Sequence, residues 1–301
     1  MVSVWLNAFR LRTLPLALSC VLLGSFLAAA QASLRINVLI LSALTATFLQ
    51  ILSNLANDYG DSVNGADHAE RKGPTRAVQS GTISPQSMKN MIAVFVVLSL
   101  ASGLSLLWVS LNVLPAKVLY VLLAVGIASI VAAMTYTMGK RPYGYVGLGD
   151  LSVFLFFGLV GVLGVYVLHT GAVAWVMLLP AATSGLFAVA VLNINNIRDI
   201  DSDKQAGKLS LPVRMGPHNA KIYHSLIVAF GWLCAIMYVW QFDQNLWSAK
   251  WLFLIAAPLF VLNVRGIWRG KTPAEIDPFL RQMALSTLLF VILLGLGLCF
   301  A

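Results

Sequence analysis

The chain alternates long uncharged stretches with short clusters of charge. Residues 13–34, 36–57, 90–116, 118–139, 151–197, 222–242, 251–264 and 282–301 contain no Asp, Glu, Lys or Arg. A helix needs about 20 apolar residues to cross a bilayer, so most of these stretches predict one spanning helix each. The stretch 151–197 is long enough for two, and His169-Thr170-Gly171 near its middle places a helix-breaking glycine after two polar residues, which predicts a turn there. The stretch 251–264 is short alone. Lys250 and Arg265 can carry their charges outward along apolar stems, and Trp247 and Trp268 stand where interfacial aromatic residues belong, so it too is read as a span. Nine spans follow. The apolar runs do not alternate residue by residue, which excludes an outer-membrane barrel. The expected fold is therefore an all-α integral membrane bundle, nine helices around a central cavity, forming a single transmembrane domain over residues 1–301.

Composition sharpens this picture. Of the residues, 59% are apolar and 10% charged, against roughly 25% charged in a typical soluble domain. The net charge of +9 is confined to loops between apolar segments, so it does not point to nucleic acid. Only Arg35, Lys117 and Lys250 fall on the side opposite the N-terminus, and the other seventeen basic residues share its side. That bias predicts a cytoplasmic N-terminus and an external C-terminus. Arg10 and Arg12 before an apolar run ending in Ala28-Ala29-Ala30-Gln31-Ala32 imitate a secretory leader. The run is longer than a leader's apolar core, and the alternation of sides requires the first span to stay. Cys20, Cys234 and Cys299 fall in spans, far apart in sequence, and His68, His169, His218 and His224 show no ligand spacing.

All the acidic residues except Asp243 lie on the face that carries the basic ones, and seven gather in two places. The first reads Asn54-Leu55-Ala56-Asn57-Asp58-Tyr59-Gly60-Asp61, followed by Asp67, Glu70, Arg71, Lys72 and Arg76. If the helix of span two continues to Gly60, then Asn54, Asn57, Asp58 and Asp61 line one face. The second reads Asn193-Ile194-Asn195-Asn196-Ile197-Arg198-Asp199, followed by Asp201, Asp203, Lys204 and Lys208, with Asn196, Asp199 and Asp203 on one face. Acids at a helix end can simply be solvated. Carboxamides within apolar segments are costly unless they face a polar cavity, and Asn54, Asn57, Asn193, Asn195 and Asn196 favour a shared one. Four or more carboxylates beside Lys and Arg suit a hard divalent cation such as Mg²⁺, held between carboxylates and a substrate's phosphates, with Arg and Lys neutralising the remaining charge. A site opening into a membrane bundle suggests that the phosphate belongs to a lipid. Asp150, after Gly149 at the start of span five, is expected to cap that helix.

Asn57-Asp58-x-x-Asp61 and Asp199-x-x-x-Asp203 resemble the paired Asp-rich motifs of the UbiA-type intramembrane prenyltransferase superfamily, and the resemblance covers the whole chain. Within it, Gln50 to Asp61, Arg141-Pro142-Tyr143-Gly144-Tyr145 and Leu192 to Asp199 are similar to the branch that prenylates 1,4-dihydroxy-2-naphthoate in menaquinone synthesis. The superfamily's third acid of the first motif, eight residues after its Asn, is here Gly65, with Asp67 beyond it. The resemblance implies transfer of a polyprenyl group from polyprenyl diphosphate to 1,4-dihydroxy-2-naphthoate, with loss of CO2 and diphosphate and demethylmenaquinone as product. It implies Mg²⁺ held by Asp58, Asp61, Asp67, Asp199 and Asp203, of which Asp58, Asp61, Asp199 and Asp203 are catalytic. Asn54, Asn57, Asn193 and Asn196 would orient these carboxylates or take phosphate oxygens. The candidates to grip diphosphate are Arg71, Lys72, Lys140, Arg141, Arg198 and Lys208, with Arg198 and Lys208 foremost. Tyr136 is a candidate to face the allylic cation, or an interfacial tyrosine. Two alternatives stay open: the same chemistry on another acceptor such as 4-hydroxybenzoate or a porphyrin, and a secondary transporter, whose ion site would lie near the midplane.

Overall fold

The computed structural model describes residues 2–65 and 76–300. A short helix α1 (Val2–Phe9) and a tight turn (Leu11–Thr13) lead into α2 (Leu14–Ala29). There follow α3 (Ile36–Val63), α4 (Pro85–Trp108), α5 (Ala116–Thr135), α6 (Gly149–Thr170), α7 (Trp175–Arg198), a short α8 (Ile200–Gln205), α9 (Leu211–Phe242), α10 (Ala249–Arg269) and α11 (Pro273–Cys299). Among the described residues nine helices are long and apolar enough to cross a membrane, the first of them being the run Ser3–Ala29 that includes α2.

The two awkward stretches resolve as the pattern expects. Helix α6 stops at Thr170, and Gly171 turns the chain at φ +79°, a left-handed conformation that suits glycine. Helix α10 takes in both charged flanks of its short apolar run, and its first eight residues are wound as a 3-10 helix. That winding rises about 2.0 Å per residue, so few residues cover more of the bilayer. The Asp150 cap, by contrast, is not formed. Leu148 occupies the cap position, and the Asp150 carboxylate accepts a hydrogen bond from the Tyr223 hydroxyl at 2.9 Å, which ties α6 to α9.

The bundle is solid on one side and hollow on the other. Phe187, Trp232, Phe253, Phe260 and Phe290, contributed by α7, α9, α10 and α11, interlock with neighbouring ring centroids 4.6 to 6.3 Å apart, distances typical of offset and edge-on aromatic packing. Helices α2 to α7 instead stand around a cavity of about 420 Å³, which α11 closes with Leu280 and Ala284. At the end remote from the acidic clusters His169 is buried between the Ser25 hydroxyl and the Arg35 backbone N–H, each 3.1 Å from a ring nitrogen. Arg35 also donates to the carbonyls of Leu168 and Val109, drawing the connections together there. Val97, Tyr120, Ile255 and Val261 project outward from the helices. Such apolar cover suits lipid, whereas in water it would be an aggregating patch.

Candidate active site

Helix α3 remains helical to Val63, which carries its polar residues to the open end of the cavity. Asn54, Asn57 and Asp61 line the cavity. Asp61 is 3% exposed. Its Oδ2 lies 2.6 Å from the Arg76 guanidinium, and its Oδ1 accepts the Tyr145 hydroxyl at 2.9 Å. Asp58 turns away from the cavity, and its oxygens accept the backbone N–H groups of Ala77 and Val78 at 3.1 and 3.2 Å. The face-sharing expected of the four residues thus holds for three. Asp58 fixes the turn that carries Arg76, while each of its oxygens keeps further acceptor capacity.

The second cluster is not one continuous helix. α7 ends at Arg198, Asp199 has left helical geometry, and α8 restarts at Ile200. This break sends the Asp199 carboxylate into a fork with Arg198, whose Nε and Nη2 donate to it at 2.8 and 2.7 Å. The remaining donors of Arg198 reach Asn195 and Asp277. Arg198 is therefore committed to protein carboxylates and does not line the cavity. Lys208 does line it, with its ammonium 3.3 Å from Asp203 Oδ1 and 6.0 Å from the centre of the Tyr145 ring. The backbone joins this group as well, since Leu209 N–H donates to Tyr145 O at 2.9 Å.

Lys208 and Asp203 are both nearly enclosed, at 6% and 5% exposure. Burial alone would pull the Lys208 ammonium down, but the carboxylates of Asp203 and Asp61 outweigh it and hold the group above the ordinary lysine range. Burial pushes the Asp203 carboxyl up, the Lys208 charge pulls it back, and the neighbouring Asp199 and Asp61 charges push it up again, leaving it above the ordinary range. Lys208 thus acts as the counter-cation to two acids, Asp203 in contact with it and Asp61 through its charge.

Several expected residues lie elsewhere. Lys140 and Arg141 are exposed on the α5–α6 connection and do not line the cavity. Asn193 is fully buried and donates to Ala220 O at 3.2 Å. Asp67, Arg71 and Lys72 lie outside the described residues. In their place the cavity is lined by Arg10, Arg12 and Arg76; the sequence pattern puts Arg76 in the first acidic cluster but outside the diphosphate candidates, and marks Arg10 and Arg12 only as basic residues before the first span. Tyr136 and Tyr143 line the wall below them in edge-to-face contact, with centroids 5.3 Å apart. Burial raises both hydroxyls above the ordinary tyrosine range and keeps them protonated.

Among the described residues no three His, Cys, Asp or Glu side chains close into a metal shell. The chemistry of the donors nevertheless fits Mg²⁺. Asp203 Oδ2 and Asn196 Oδ1 are buried without hydrogen-bond partners, Asp61 lies near enough to Lys208 for their charges to interact, and all are hard oxygen donors of the kind Mg²⁺ takes.

The clusters depend on close backbone contact. The Thr137 hydroxyl is shared between Ala56 O and Asn57 Oδ1 at 3.0 and 3.1 Å, and Thr137 O accepts from Asn64 at 2.8 Å. A Cβ at Gly60 would stand 2.6 Å from the Thr137 carbonyl group. Gly60→Ala is accordingly expected to cost about 1–3 kcal/mol through overpacking. It should lower the midpoint of thermal unfolding in detergent, and an unchanged midpoint would show that the contact is not tight.

A model of the UbiA prenyltransferase family matches residues 17–288. The chain is 44% identical to 1,4-dihydroxy-2-naphthoate octaprenyltransferase of Escherichia coli (strain K12), covering 98% of this chain and 95% of that one. Among solved structures it is similar to a UbiA homolog from Aeropyrum pernix K1, with a TM-score of 0.65 at 18% identity over 97% of this chain and 96% of the other. It is also similar to a UbiA homolog from Archaeoglobus fulgidus bound to GPP and Mg²⁺, with a TM-score of 0.60 at 16% identity over 98% and 100%.

Proposed function

The chain belongs to the UbiA prenyltransferase family, and on that premise we propose that it joins a polyprenyl group from polyprenyl diphosphate to the ring of 1,4-dihydroxy-2-naphthoate. CO2 and diphosphate leave, and the immediate product is the hydroquinone form of demethylmenaquinone, which air oxidises to the quinone. The relative from Escherichia coli, named for that acceptor, supports the choice over 4-hydroxybenzoate. The site is proposed to face the cytoplasm from the inner membrane, on the side that carries most of the Lys and Arg.

The observation that carries this reading is the polarity of one cavity. Its polar end gathers Asn57, Asp61, Arg76, Asn196 and Lys208, and the rest of its wall is mainly apolar, from Leu16 and Val21 through Leu104 and Leu123 to Val160, with scattered hydroxyls such as Ser42, Thr45 and Ser99. An amphiphile with an anionic head and an isoprenoid tail matches that division. Asp61, Asp199 and Asp203, with Asn196 beside them and Asp58 at the margin, would hold Mg²⁺, and Asp67 is proposed as a further ligand on the family resemblance alone. When bound, the ion neutralises charge developing on the diphosphate oxygens. Arg76 and Lys208, each already paired with a carboxylate, are placed to turn toward diphosphate once those carboxylates are engaged elsewhere. Their charge then stabilises the leaving group as the allylic C–O bond breaks and its electron pair departs with diphosphate. Tyr136 and Tyr143 are placed to offer ring faces to the allylic cation, and the mainly apolar wall keeps water from it. The new bond forms at the ring carbon that carries the acceptor's carboxylate, and that carboxylate leaves as CO2 while its bonding electrons restore the ring.

The test is to incubate membranes carrying the protein with a long-chain prenyl diphosphate, Mg²⁺ and either acceptor, and to follow products by mass. A prenylated naphthoquinone that disappears with chelator is expected. Product from 4-hydroxybenzoate alone would overturn the acceptor, and no product from either would overturn the activity.

A further inference from the structure

Asn54 stands in the run of α3 that ends in the candidate metal-binding acids, yet its amide is used in another direction. Its two N–H groups donate to Phe9 O at 2.9 Å and to the Thr13 hydroxyl at 3.0 Å, so neither is left for a ligand. Its Oδ1 accepts from Gln50 at 3.3 Å, which fixes the orientation of the amide on its own helix. Thr13 passes the connection on, because its hydroxyl donates to Arg10 O at 2.9 Å and its backbone N–H donates to the same oxygen at 2.9 Å.

These bonds converge on an elbow between α1 and α2. Arg10 has φ +50° and ψ +55°, a left-handed conformation that arginine seldom adopts without surrounding structure to hold it. The elbow presents Arg10 and Arg12 to the same cavity that Asp61 and Lys208 line, and Arg10 lies close enough to Asp61 for their charges to interact. If the chain there were extended or helical instead, the guanidinium of Arg10 would leave from a different side of the backbone. The 41-residue separation of Asn54 from Thr13 makes the clamp a tertiary contact that no local preference of the elbow supplies.

We infer that Asn54 is a positioning residue that acts on the prenyl diphosphate through Arg10, by clamping the left-handed elbow, and does not itself contact the diphosphate. The inference rests on the proposed function in one respect, that a prenyl diphosphate occupies this cavity. It assigns Thr13 the same task, since its hydroxyl is the middle of the clamp.

A double-mutant cycle separates a clamp from a ligand. Asn54→Ala and Arg10→Ala are each expected to raise KM for the prenyl diphosphate about tenfold with a smaller effect on kcat, and the double variant is expected to be no worse than the poorer single one. Thr13→Val, which leaves Asn54 in place, should reproduce the KM defect, and it carries the test alone if Asn54→Ala does not fold. Hydrogen exchange gives a readout free of turnover. In the wild type, a non-hydrolysable prenyl thiodiphosphate with Mg²⁺ should protect the amides of residues 9–13, and in Asn54→Ala those amides should exchange faster and lose that protection. Multiplicative KM effects in the double variant, or normal protection of the elbow in Asn54→Ala, would overturn the inference. A wild type that neither binds nor is protected by the analogue would overturn the proposed function beneath it.

Discussion

Replacing Asp61 by asparagine lowers kcat for prenyl transfer about 10³-fold, while the protein stays folded. Asparagine keeps the volume of the side chain and can still accept the Tyr145 hydroxyl, which in the wild type lies 2.9 Å from Asp61 Oδ1. What it removes is one negative charge from a buried group in which Arg76 and Lys208 are the adjoining cations. Without that charge the site binds Mg²⁺ less well and holds Arg76 less firmly, and both losses fall on the stage at which charge develops on the leaving diphosphate. Asp203→Asn should behave alike. The double variant should lose little beyond the worse single one, because groups that act as a unit are not additive. The comparison requires single-turnover rates at saturating prenyl diphosphate, together with the Mg²⁺ concentration at half-maximal rate. A fall of less than about tenfold in Asp61→Asn, with an unchanged Mg²⁺ requirement, would remove Asp61 from the chemistry and leave it a tether for Tyr145 and Arg76.

The spans were legible in the sequence because charge inside a bilayer is expensive, so uncharged runs of the right length have few other uses. Even α10, the shortest run, could be placed from its flanking Lys250, Arg265, Trp247 and Trp268. The two acidic clusters were legible for the same reason, as polar side chains at helix ends that otherwise read as lipid-buried. What each polar residue faces was not. Asp58 and Asp61 are three residues apart on one helix, yet one accepts from the turn at Ala77 and Val78 and the other from Tyr145 and Arg76. Those partners come from other connections, and no periodicity encodes them. Helical spacing also failed across Asp199, where the helix breaks and Arg198 turns its donors onto Asp199 and onto Asp277, 79 residues further on. Arg10 and Arg12 illustrate a different limit. A basic pair before a first span is what the positive-inside rule expects, and the same residues at the same place line the cavity. Only the fold of the elbow distinguishes the two uses. Asn54 and Asn193, each the first of an Asn-x-x-Asn run, are used alike, since both donate an amide N–H to a backbone carbonyl of a neighbouring element.

Lys208→Met should convert the protein into one whose stability depends on Mg²⁺. In the wild type the ammonium lies 3.3 Å from Asp203 Oδ1, and the charges of Asp203 and Asp61 hold its pKa above the ordinary lysine value. A lysine raised in the folded state contributes stability that is complete below its unfolded pKa of about 10.4 and is lost only as pH rises through the folded value. At neutral pH the contribution is therefore whole, and deleting the charge leaves two buried carboxylates without it. Breaking a buried pair in this way costs about 3–5 kcal/mol, and methionine fills most of the volume, so the loss is electrostatic and not a cavity effect. In chelator the variant should unfold at a markedly lower temperature than the wild type. Added Mg²⁺ should return much of the difference, because a ligand at a hundred times its Kd stabilises by about 2.7 kcal/mol. The wild type should gain less from the same Mg²⁺, since there the cation must compete with Lys208 for the oxygens of Asp203 and Asp61. Thermal unfolding in detergent, with and without Mg²⁺, measures all four states. Equal stability of variant and wild type in chelator would mean that Lys208 does not balance the acids. An equal response of both to Mg²⁺ would mean that the ion binds away from them.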